Sequence, residues 1–324
     1  MTVFLIRRLL QTLAVLFAVS LVVFVGLYAV GNPADILLPD DATEVERQAA
    51  IVALGLDRSL SAQYFLFLGN ALTGDLGASF VYNQPSISLI LQRFPATLEL
   101  ALSALFIALV LGFPLGLYAG LNPGTTLDRS IVTGSILGFS LPNFWQGLML
   151  ILVFSIGLGW LPSSGRGTTG TVFGIETSLA TWNGIKHLIL PATNLALFKL
   201  ALVIRLTRAQ VRETIPLDFV KFARAKGLTE RRIVGVHVAK TIAAPIVTVI
   251  GMELGSVIAF AVITESIFAW PGMGKLIIDS INKLDRPVVV AYLLVITFMF
   301  ILINLAVDLL YTALDPRVRL GGQS

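Results

Sequence analysis

The chain has 324 residues, of which 56% are hydrophobic and only 13% are charged, and its mean hydropathy is +0.87. Soluble domains carry about 25% charged residues, so this composition excludes an ordinary water-soluble fold. The net charge of +4 is too small over this length to indicate nucleic-acid binding. Because the chain has no cysteine and only two isolated histidines, we expect no metal site.

Six stretches are apolar over the roughly 20 residues that a helix needs to cross a bilayer. They are Leu9–Val30, Thr97–Leu121, Ile131–Trp160, Ile185–Leu206, Ile242–Thr264 and Val288–Leu310. The sequence therefore predicts an all-α integral membrane protein with six transmembrane helices. The first stretch is too long for the core of a secretory signal, and five more follow it, so we interpret residues 1–30 as a transmembrane helix. Lys and Arg are more frequent in the loops on the side of the two termini, which predicts that both termini are cytoplasmic.

Residues 31–96 form a long excursion on the predicted outer side, with a helix expected near Thr43–Leu54. This excursion is much longer than a usual connection, so we expect it to fold into an outer docking surface. A second outer loop, Ser163–Thr181, is rich in Gly, Thr and Ser and shows no periodicity. The other five spans make up a core over residues 97–312, and residues 313–324 form a cytoplasmic tail.

The most informative stretch is the basic inner segment over residues 207–240 of the core. Pro216 breaks the preceding helix, and Asp218 is placed to cap a new one. The pattern predicts two helical turns over Phe219–Lys226, with Phe219, Phe222 and Ala223 on one apolar face. Gly227 suits the position just after a helix, and Thr229 is placed to cap the next helix. Composition alone fits a solvated basic loop or a surface-lying anchor about equally well.

Several motifs together resemble one known family. Ala223-Arg224-Ala225-Lys226-Gly227-Leu228, followed by His237 and Pro245, resembles the signature loop of ABC importer permeases, and more narrowly that of their dipeptide/oligopeptide/nickel group. Further matching stretches occur in the order and spacing of the family: Gly74–Gly77, Arg93–Leu100, Pro142–Trp145, Leu158–Pro162, Phe268–Gly274 and Leu314–Arg317. The sequence departs from the general motif at Lys221, where Glu is usual, at Ala239-Lys240-Thr241 and at Ala243-Ala244.

The resemblance implies a type I ABC importer permease fold in the bacterial inner membrane, and a chain that imports di- and oligopeptides without being an enzyme itself. It implies a homologous second permease in a heterodimer, two ATPase subunits that bind ATP and Mg, and an extracytoplasmic solute-binding protein. No cofactor is expected on this chain. The residues implied to couple to the ATPase are Phe219, Phe222, Ala223, Arg224, Ala225, Lys226, Gly227 and Leu228. Glutathione, a nickel complex or another small solute are alternative cargoes; an ATP-independent secondary transporter or channel, or a membrane scaffold, are alternatives from other classes.

Five ionisable residues fall inside the predicted spans, where such residues usually face the protein interior or a water-filled cavity. Glu99, Glu265 and Asp308 lie near span ends, from which they can reach the headgroups, and we expect structural roles for them. Lys199 and Glu253 lie deeper, and at about 1.5 Å per residue their predicted depths differ by roughly 6 Å. We therefore expect Lys199 and Glu253 to lie in one buried polar cluster. Two roles fit this cluster equally well: it lines the translocation path, or it is a structural ion pair.

Two further features carry specific hypotheses. Pro142 and Asn143 interrupt the third span and predict a kink there. The kink fits two alternatives: it lines the translocation path with residues that include Asn143, or it only allows the helices to pack. Pro271–Lys275 resembles a phosphate-binding loop, but Ala269 stands where the first glycine is required and no strand precedes it. We therefore reject a nucleotide site on this chain.

Overall fold

The computed structural model describes residues 2–29, 43–53 and 57–314. Its helices are α1 (Thr2–Ala29), α2 (Glu44–Ala53), α3 (Leu60–Leu72), α4 (Ser86–Leu121), α5 (Thr126–Ser140), α6 (Asn143–Leu150), α7 (Trp182–Thr214), α8 (Asp218–Ala225), α9 (Glu230–Ile267), α10 (Met273–Asn282) and α11 (Arg286–Leu314). A π-helical stretch, Ile151–Gly157, continues α6, and α9 is π-helical over Ile233–Val238. Strands β1 (Gly170–Val172) and β2 (Ile175–Thr177), followed by a 3₁₀ turn over Ser178–Ala180, lie before α7.

Within the described residues, four helices are long and apolar enough to cross a bilayer: α4, α7, α9 and the Arg286–Val307 part of α11. The pair α5–α6 adds a fifth if it is counted as one span, and α1 contributes a shorter apolar stretch, Leu10–Gly26. The predicted all-α membrane architecture is therefore confirmed. The count of six spans and the cytoplasmic placement of the termini stay predictions.

The predicted span over Ile131–Trp160 is wrong as a single helix, because the chain turns sharply at Pro142. Leu141 is extended, with φ −82° and ψ 139°, which is the conformation that a following proline favours. The helices on either side of this break are bent by 102° relative to each other. The interruption predicted at Pro142 and Asn143 is thus confirmed, and it is far larger than a kink.

Two other predicted segments also differ from the structure. Helix α4 begins at Ser86 and not at Thr97, because buried apolar residues such as Leu89 and Ile90 extend the helix through a stretch of lower hydropathy. In the loop between Ser163 and Thr181, β1 and β2 pair antiparallel around Phe173 and Gly174, both of which have positive φ, as a tight hairpin turn requires. Three-residue strands are too short for alternation to be visible in the sequence.

The helix predicted near Thr43–Leu54 is confirmed as α2, with Leu54 outside the described residues. Thr43 and Glu46 form a capping box, in which the Thr43 amide and hydroxyl both donate to the Glu46 carboxylate at 2.8 Å. These hydrogen bonds lower the pKa of Glu46. The capping box explains where α2 begins, whereas the docking role of residues 31–96 stays a prediction.

The described residues divide into two compact units, of which the first contains those up to residue 94 together with residues 276–302. In this unit Tyr64 of α3 is buried against the rings of Phe17 and Phe24 of α1. Its hydroxyl lies 2.8 Å from the Ser20 hydroxyl, which satisfies the polar end of an otherwise apolar contact. The buried carboxylate of Asp285 accepts hydrogen bonds from the hydroxyl of Ser79 and the amide of Phe80.

The second unit contains residues 95–275 and the described residues from 303 onward, and α7 is its central helix, in contact with α5, α6 and α9. Helix α4 packs on α7 through glycines four residues apart: Gly112, Gly116 and Gly120. A Cβ atom at Gly116 would lie 2.7 Å from the carbonyl oxygen of Ile204, so only glycine permits this approach of the two backbones. The tight contact fixes the end of α7 from which the next segment emerges.

Candidate functional site

The predicted coupling segment is an ordered helix, α8, set between two turns. Helix α7 ends at Thr214, two residues before Pro216, as expected for a residue that cannot continue a helix. Leu217 and not Asp218 is the N-cap, so the predicted cap was wrong by one residue. The Leu217 carbonyl already accepts the first helical hydrogen bond, from the Val220 amide at 3.0 Å. Asp218 opens the helix, where a negative charge is favourable, and pairs with Lys221.

The C-terminal end of α8 is closed by the turn that Gly227 predicted. The amide of Gly227 donates to the carbonyl of Arg224 at 2.9 Å, and the amide of Leu228 donates to the carbonyl of Ala223 at 3.2 Å. These two bonds define a Schellman motif, which needs a left-handed residue at the position of Gly227. Gly227 has φ +77°, a conformation that residues with a Cβ rarely adopt. Thr229 has extended backbone angles and is the N-cap of α9, as predicted.

The buried face of α8 differs from the predicted one. Val220 and Ala223 point into an apolar cluster, whereas Phe219 and Phe222 are 40% and 61% exposed. The other buried members of this cluster come from α7 and α9: Val211, Ile233, Val238, Ile242 and Ile246. The apolar pattern predicted a face through both phenylalanines because it could not separate contact with the chain itself from contact with a partner. Small Val and Ala side chains hold α8 close to α7 and α9, which leaves the large rings outside.

The remaining predicted coupling residues surround this exposed face. Leu228 packs partly against the apolar cluster, and Arg224, Ala225, Lys226 and Gly227 are exposed. Arg224 donates to Glu230 at 2.6 Å and 3.2 Å, which raises the pKa of Arg224 and links α8 to the start of α9. The ammonium of Lys226 lies 4.5 Å from the ring centre of Phe222, within cation–π range. The result is a rigidly held helix that presents two aromatic rings and basic groups outward.

The second predicted site is a buried polar cluster between α7 and α9. The Lys199 ammonium donates to the Glu253 carboxylate at 2.5 Å and to the Ser256 hydroxyl at 2.8 Å, so the predicted pairing of Lys199 with Glu253 is confirmed. The Ser256 hydroxyl also donates to Glu253. The two charged side chains are unequally buried, at 6% exposure for Lys199 and 28% for Glu253. Sequence reasoning missed Ser256, although its i,i+3 spacing from Glu253 places both on one face of the helix.

The structure places Asn143 in a different cluster. Asn194 of α7 is fully buried and donates to the Asn143 side-chain oxygen at 2.6 Å and to the Thr264 hydroxyl at 3.0 Å. Thr264 lies eleven residues after Glu253, or roughly 16 Å along α9. Asn143 therefore ties the start of α6 to α7 and α9, and the hydrogen bonds that it makes do not join it to Lys199 and Glu253.

Glu99 and Glu265 are both buried within the chain. Glu265 is fully buried and accepts hydrogen bonds from the Thr97 hydroxyl at 2.6 Å and the Lys275 amide at 2.9 Å. Glu99 pairs with Arg166 and accepts from the Ser178 amide at 2.7 Å. Helix α4 begins well before Glu99, so this residue is interior, and the loops after α6 and α9 fold back over both carboxylates. These contacts support the expected structural role, whereas the reach to the headgroups stays a prediction; the side chain of Asp308 lies outside the described part.

The glycines of Pro271–Lys275 are explained by this arrangement. A Cβ atom at either Gly272 or Gly274 would collide with the Glu265 carboxylate. The turn is therefore shaped around a carboxylate of the chain itself.

Two family models match the chain. Residues 112–320 match the binding-protein-dependent transport system inner membrane component, and residues 1–101 match the N-terminal part of the corresponding membrane component. Together these matches include α8, both polar clusters and the long excursion after α1.

Curated relatives match along almost the whole chain. The di/tripeptide transport system permease protein DppB of Pseudomonas aeruginosa is 39% identical over 331 residues, which cover 98% of each chain. The dipeptide transport system permease protein DppB of Escherichia coli is 36% identical over 334 residues, again 98% of each. The oligopeptide transport system permease protein AppB of Bacillus subtilis is 35% identical over 320 residues, covering 98% of this chain and 99% of the relative.

Solved structures give an independent comparison of the fold. Chains from two crystal forms of the MetNI methionine ABC transporter in inward-facing conformations superpose with TM-scores of 0.55 and 0.56, at 17% and 18% sequence identity. Each match covers 70% of this chain and 96% of the other. The predicted ABC importer permease fold is thereby confirmed.

Proposed function

The chain belongs to the family of binding-protein-dependent transport system inner membrane components, and from this premise we propose that it is a membrane subunit of an ATP-driven importer of di- and oligopeptides. The full-length similarity to di-, tri- and oligopeptide permeases is the observation that supports a peptide as the substrate. The proposed complex contains a homologous second permease, two ATPase subunits that bind ATP and Mg, and an extracytoplasmic solute-binding protein. This chain supplies the route for the peptide, and hydrolysis takes place on its partners.

We assign the contact with an ATPase subunit to the exposed face of α8. A helix that presents two half-exposed phenylalanine rings on a membrane protein needs an apolar partner surface, and Phe219 and Phe222 are such rings. The opposite face is fixed by Val220 and Ala223 in the apolar cluster with α7 and α9. A movement of the ATPase would therefore displace α8 together with the ends of two membrane helices, instead of bending a loose loop.

We assign Lys199, Glu253 and Ser256 to the wall of the translocation path. An ionised carboxylate within the hydrocarbon is costly unless it faces protein or water, and more than a quarter of the Glu253 side chain is exposed on this chain. The exposed part of Glu253 therefore faces the path or the second permease. A zwitterionic peptide carries a charged ammonium group, which would find a carboxylate of opposite sign at this point. Asn143 helps to hold the wall in place through Asn194.

The test is peptide uptake by the assembled transporter in proteoliposomes. With binding protein outside and ATP inside, we expect uptake of a labelled dipeptide that stops when ATP is omitted. Glutathione and a nickel complex, added in excess, should not compete. Peptide uptake that continues without ATP would contradict the importer mechanism. ATP-dependent uptake of labelled glutathione or of a nickel complex, without any peptide uptake, would contradict the assigned cargo.

The contact at α8 has a separate test at Gly227. Val at this position must adopt φ near +77°, which costs about 1–3 kcal/mol for a residue with a Cβ. A Cβ atom at Gly227 meets nothing within 4 Å, so the cost comes from backbone strain and not from a collision. We expect Gly227→Val to insert into the membrane normally but to lose ATPase co-purification and transport.

Gly227→Asn is the matched control, because Asn tolerates the left-handed region better than other residues with a Cβ. It should keep most of the ATPase binding. Normal transport by Gly227→Val, or equal losses in both variants, would contradict the coupling role of this turn.

A further inference from the structure

A narrow apolar groove lies in the first unit, between the end of α1, the end of α10 and the start of α11. Its volume is about 360 Å³, and eight of its ten lining residues are apolar. Val22 and Gly26 form the wall on α1, and Val289 and Leu293 form the wall on α11. The two polar residues of the lining are Ser280 and Arg286.

The groove extends from a helix end into the apolar part of the helices. Val22 and Gly26 lie within the apolar part of α1, and Arg286 is the first residue of α11, where apolar residues follow from Val288 to Leu293. From Arg286 to Leu293 the groove follows α11 for seven residues, or about 10 Å. One end of the groove therefore lies beside the charged residue that begins α11, and the other lies against the apolar part of that helix.

Two hydrogen-bond donors border the groove. Ser280 is fully buried, and its hydroxyl has no hydrogen-bond partner among the described residues. A buried donor without an acceptor is unfavourable, so an acceptor from outside the chain would be stabilising here. Arg286 is 7% exposed and supplies a positive charge beside it. A hydroxyl and a guanidinium next to an apolar channel match the ester or phosphate oxygens of a lipid and the chain attached to them.

The apolar lining of the groove favours an acyl chain over a protein segment. An extended segment would bring backbone amides and carbonyls that two polar side chains cannot satisfy in an apolar setting. An acyl chain brings no backbone groups that need hydrogen bonds.

We propose that this groove binds one acyl chain of a glycerophospholipid, whose ester or phosphate oxygens accept hydrogen bonds from Ser280 and Arg286. The bound lipid would fill the space between the end of α1 and the start of α11 and so stabilise their packing. This proposal depends on the membrane location of the chain and not on the peptide cargo.

The test uses a phospholipid with a photoreactive group on its acyl chain, mixed into vesicles of phosphatidylethanolamine and phosphatidylglycerol that contain the full-length chain. Gly26→Leu should fill the groove without distorting α1, because a Cβ atom at Gly26 meets nothing within 4 Å. Gly134→Leu in α5 is the matched control, since Gly134 is a helical glycine with equally open surroundings. Leu293→Trp fills the groove from the side of α11 and provides a second, independent variant.

We expect light-induced labelling of residues 22–26 and 289–293 above that of Phe106, a residue of α4 that is 66% exposed. This excess should disappear in Gly26→Leu and Leu293→Trp and persist in Gly134→Leu. Equal labelling in all four proteins would overturn the proposal. Cross-links from the groove to another protein subunit, without lipid label, would show that a partner chain covers it and would overturn the proposal as well.

Discussion

The unequal burial of Lys199 and Glu253 leads to an asymmetric prediction for the two halves of one ion pair. Removing one partner of a buried pair costs about 3–5 kcal/mol, most of which is the penalty for the charge left behind. Glu253→Gln leaves the Lys199 ammonium at 6% exposure, whereas Lys199→Gln leaves a carboxylate at 28% exposure that keeps its hydrogen bond from Ser256. Glu253→Gln should therefore approach the full 3–5 kcal/mol, and Lys199→Gln should cost clearly less.

The double variant Lys199→Gln with Glu253→Gln removes both charges and leaves two amides that can bond to each other. It should recover part of the loss, so that the coupling energy in the double-mutant cycle is at least about 1 kcal/mol. The measurement is the free energy of unfolding of the purified chain in mixed detergent micelles. Asp218→Asn is the matched control, because Asp218 pairs with Lys221 at 2.9 Å but is almost fully exposed. It should leave the free energy of unfolding unchanged.

Two results would refute this reasoning. Additive losses in the double variant would show that the two side chains do not interact. A larger loss in Lys199→Gln than in Glu253→Gln would show that burial does not decide the cost.

Two further predictions concern packing and buried hydrogen bonds. Gly116→Ala should destabilise the chain by about 1–3 kcal/mol, because the added methyl group overpacks against Ile204. Gly69→Ala is the control: a Cβ atom there meets nothing within 4 Å, so this variant should be neutral or slightly stabilising in the same unfolding assay. Equal effects of the two substitutions would contradict the close approach of α4 and α7. Thr97→Val removes the donor to Glu265 and the acceptor for the Met273 amide, at a cost of about 1–3 kcal/mol for each buried group left without its partner. Thr97→Ser keeps the hydroxyl and should recover most of that stability, so equal losses in Val and Ser would contradict the proposed hydrogen bonds.

The local features of the chain could be predicted from its sequence because they depend on neighbouring residues. Pro216 was predicted to break the preceding helix and Gly227 to follow the end of α8, each through its own backbone preference, and both predictions were confirmed. The depth comparison between Lys199 and Glu253 succeeded for a similar reason, since helical rise alone fixes how deep each residue lies.

The features that could not be predicted depend on contacts between distant parts of the chain. Glu265 meets Thr97, 168 residues away, and nothing in the pattern around either residue indicates the other. The same applies to Glu99 and Arg166. The exposure of Phe219 and Phe222 was missed because hydropathy reports that a side chain avoids water but not which surface it meets instead.

The π-helical stretch Ile233–Val238 lies between the first α-helical turn of α9, Glu230–Arg232, and the long apolar part of the same helix. Such a stretch accommodates about one residue more than an α-helix of the same rise. The number of residues in it therefore sets how the two ends of α9 are rotated relative to each other. Deletion of a single residue there would allow regular α-helical hydrogen bonding. It would also rotate the start of α9, and α8 with it, by about 100° around the helix axis relative to the long apolar part of α9. The direction in which α8 faces is therefore set by the residue count of this short stretch as well as by the side chains on α8 itself.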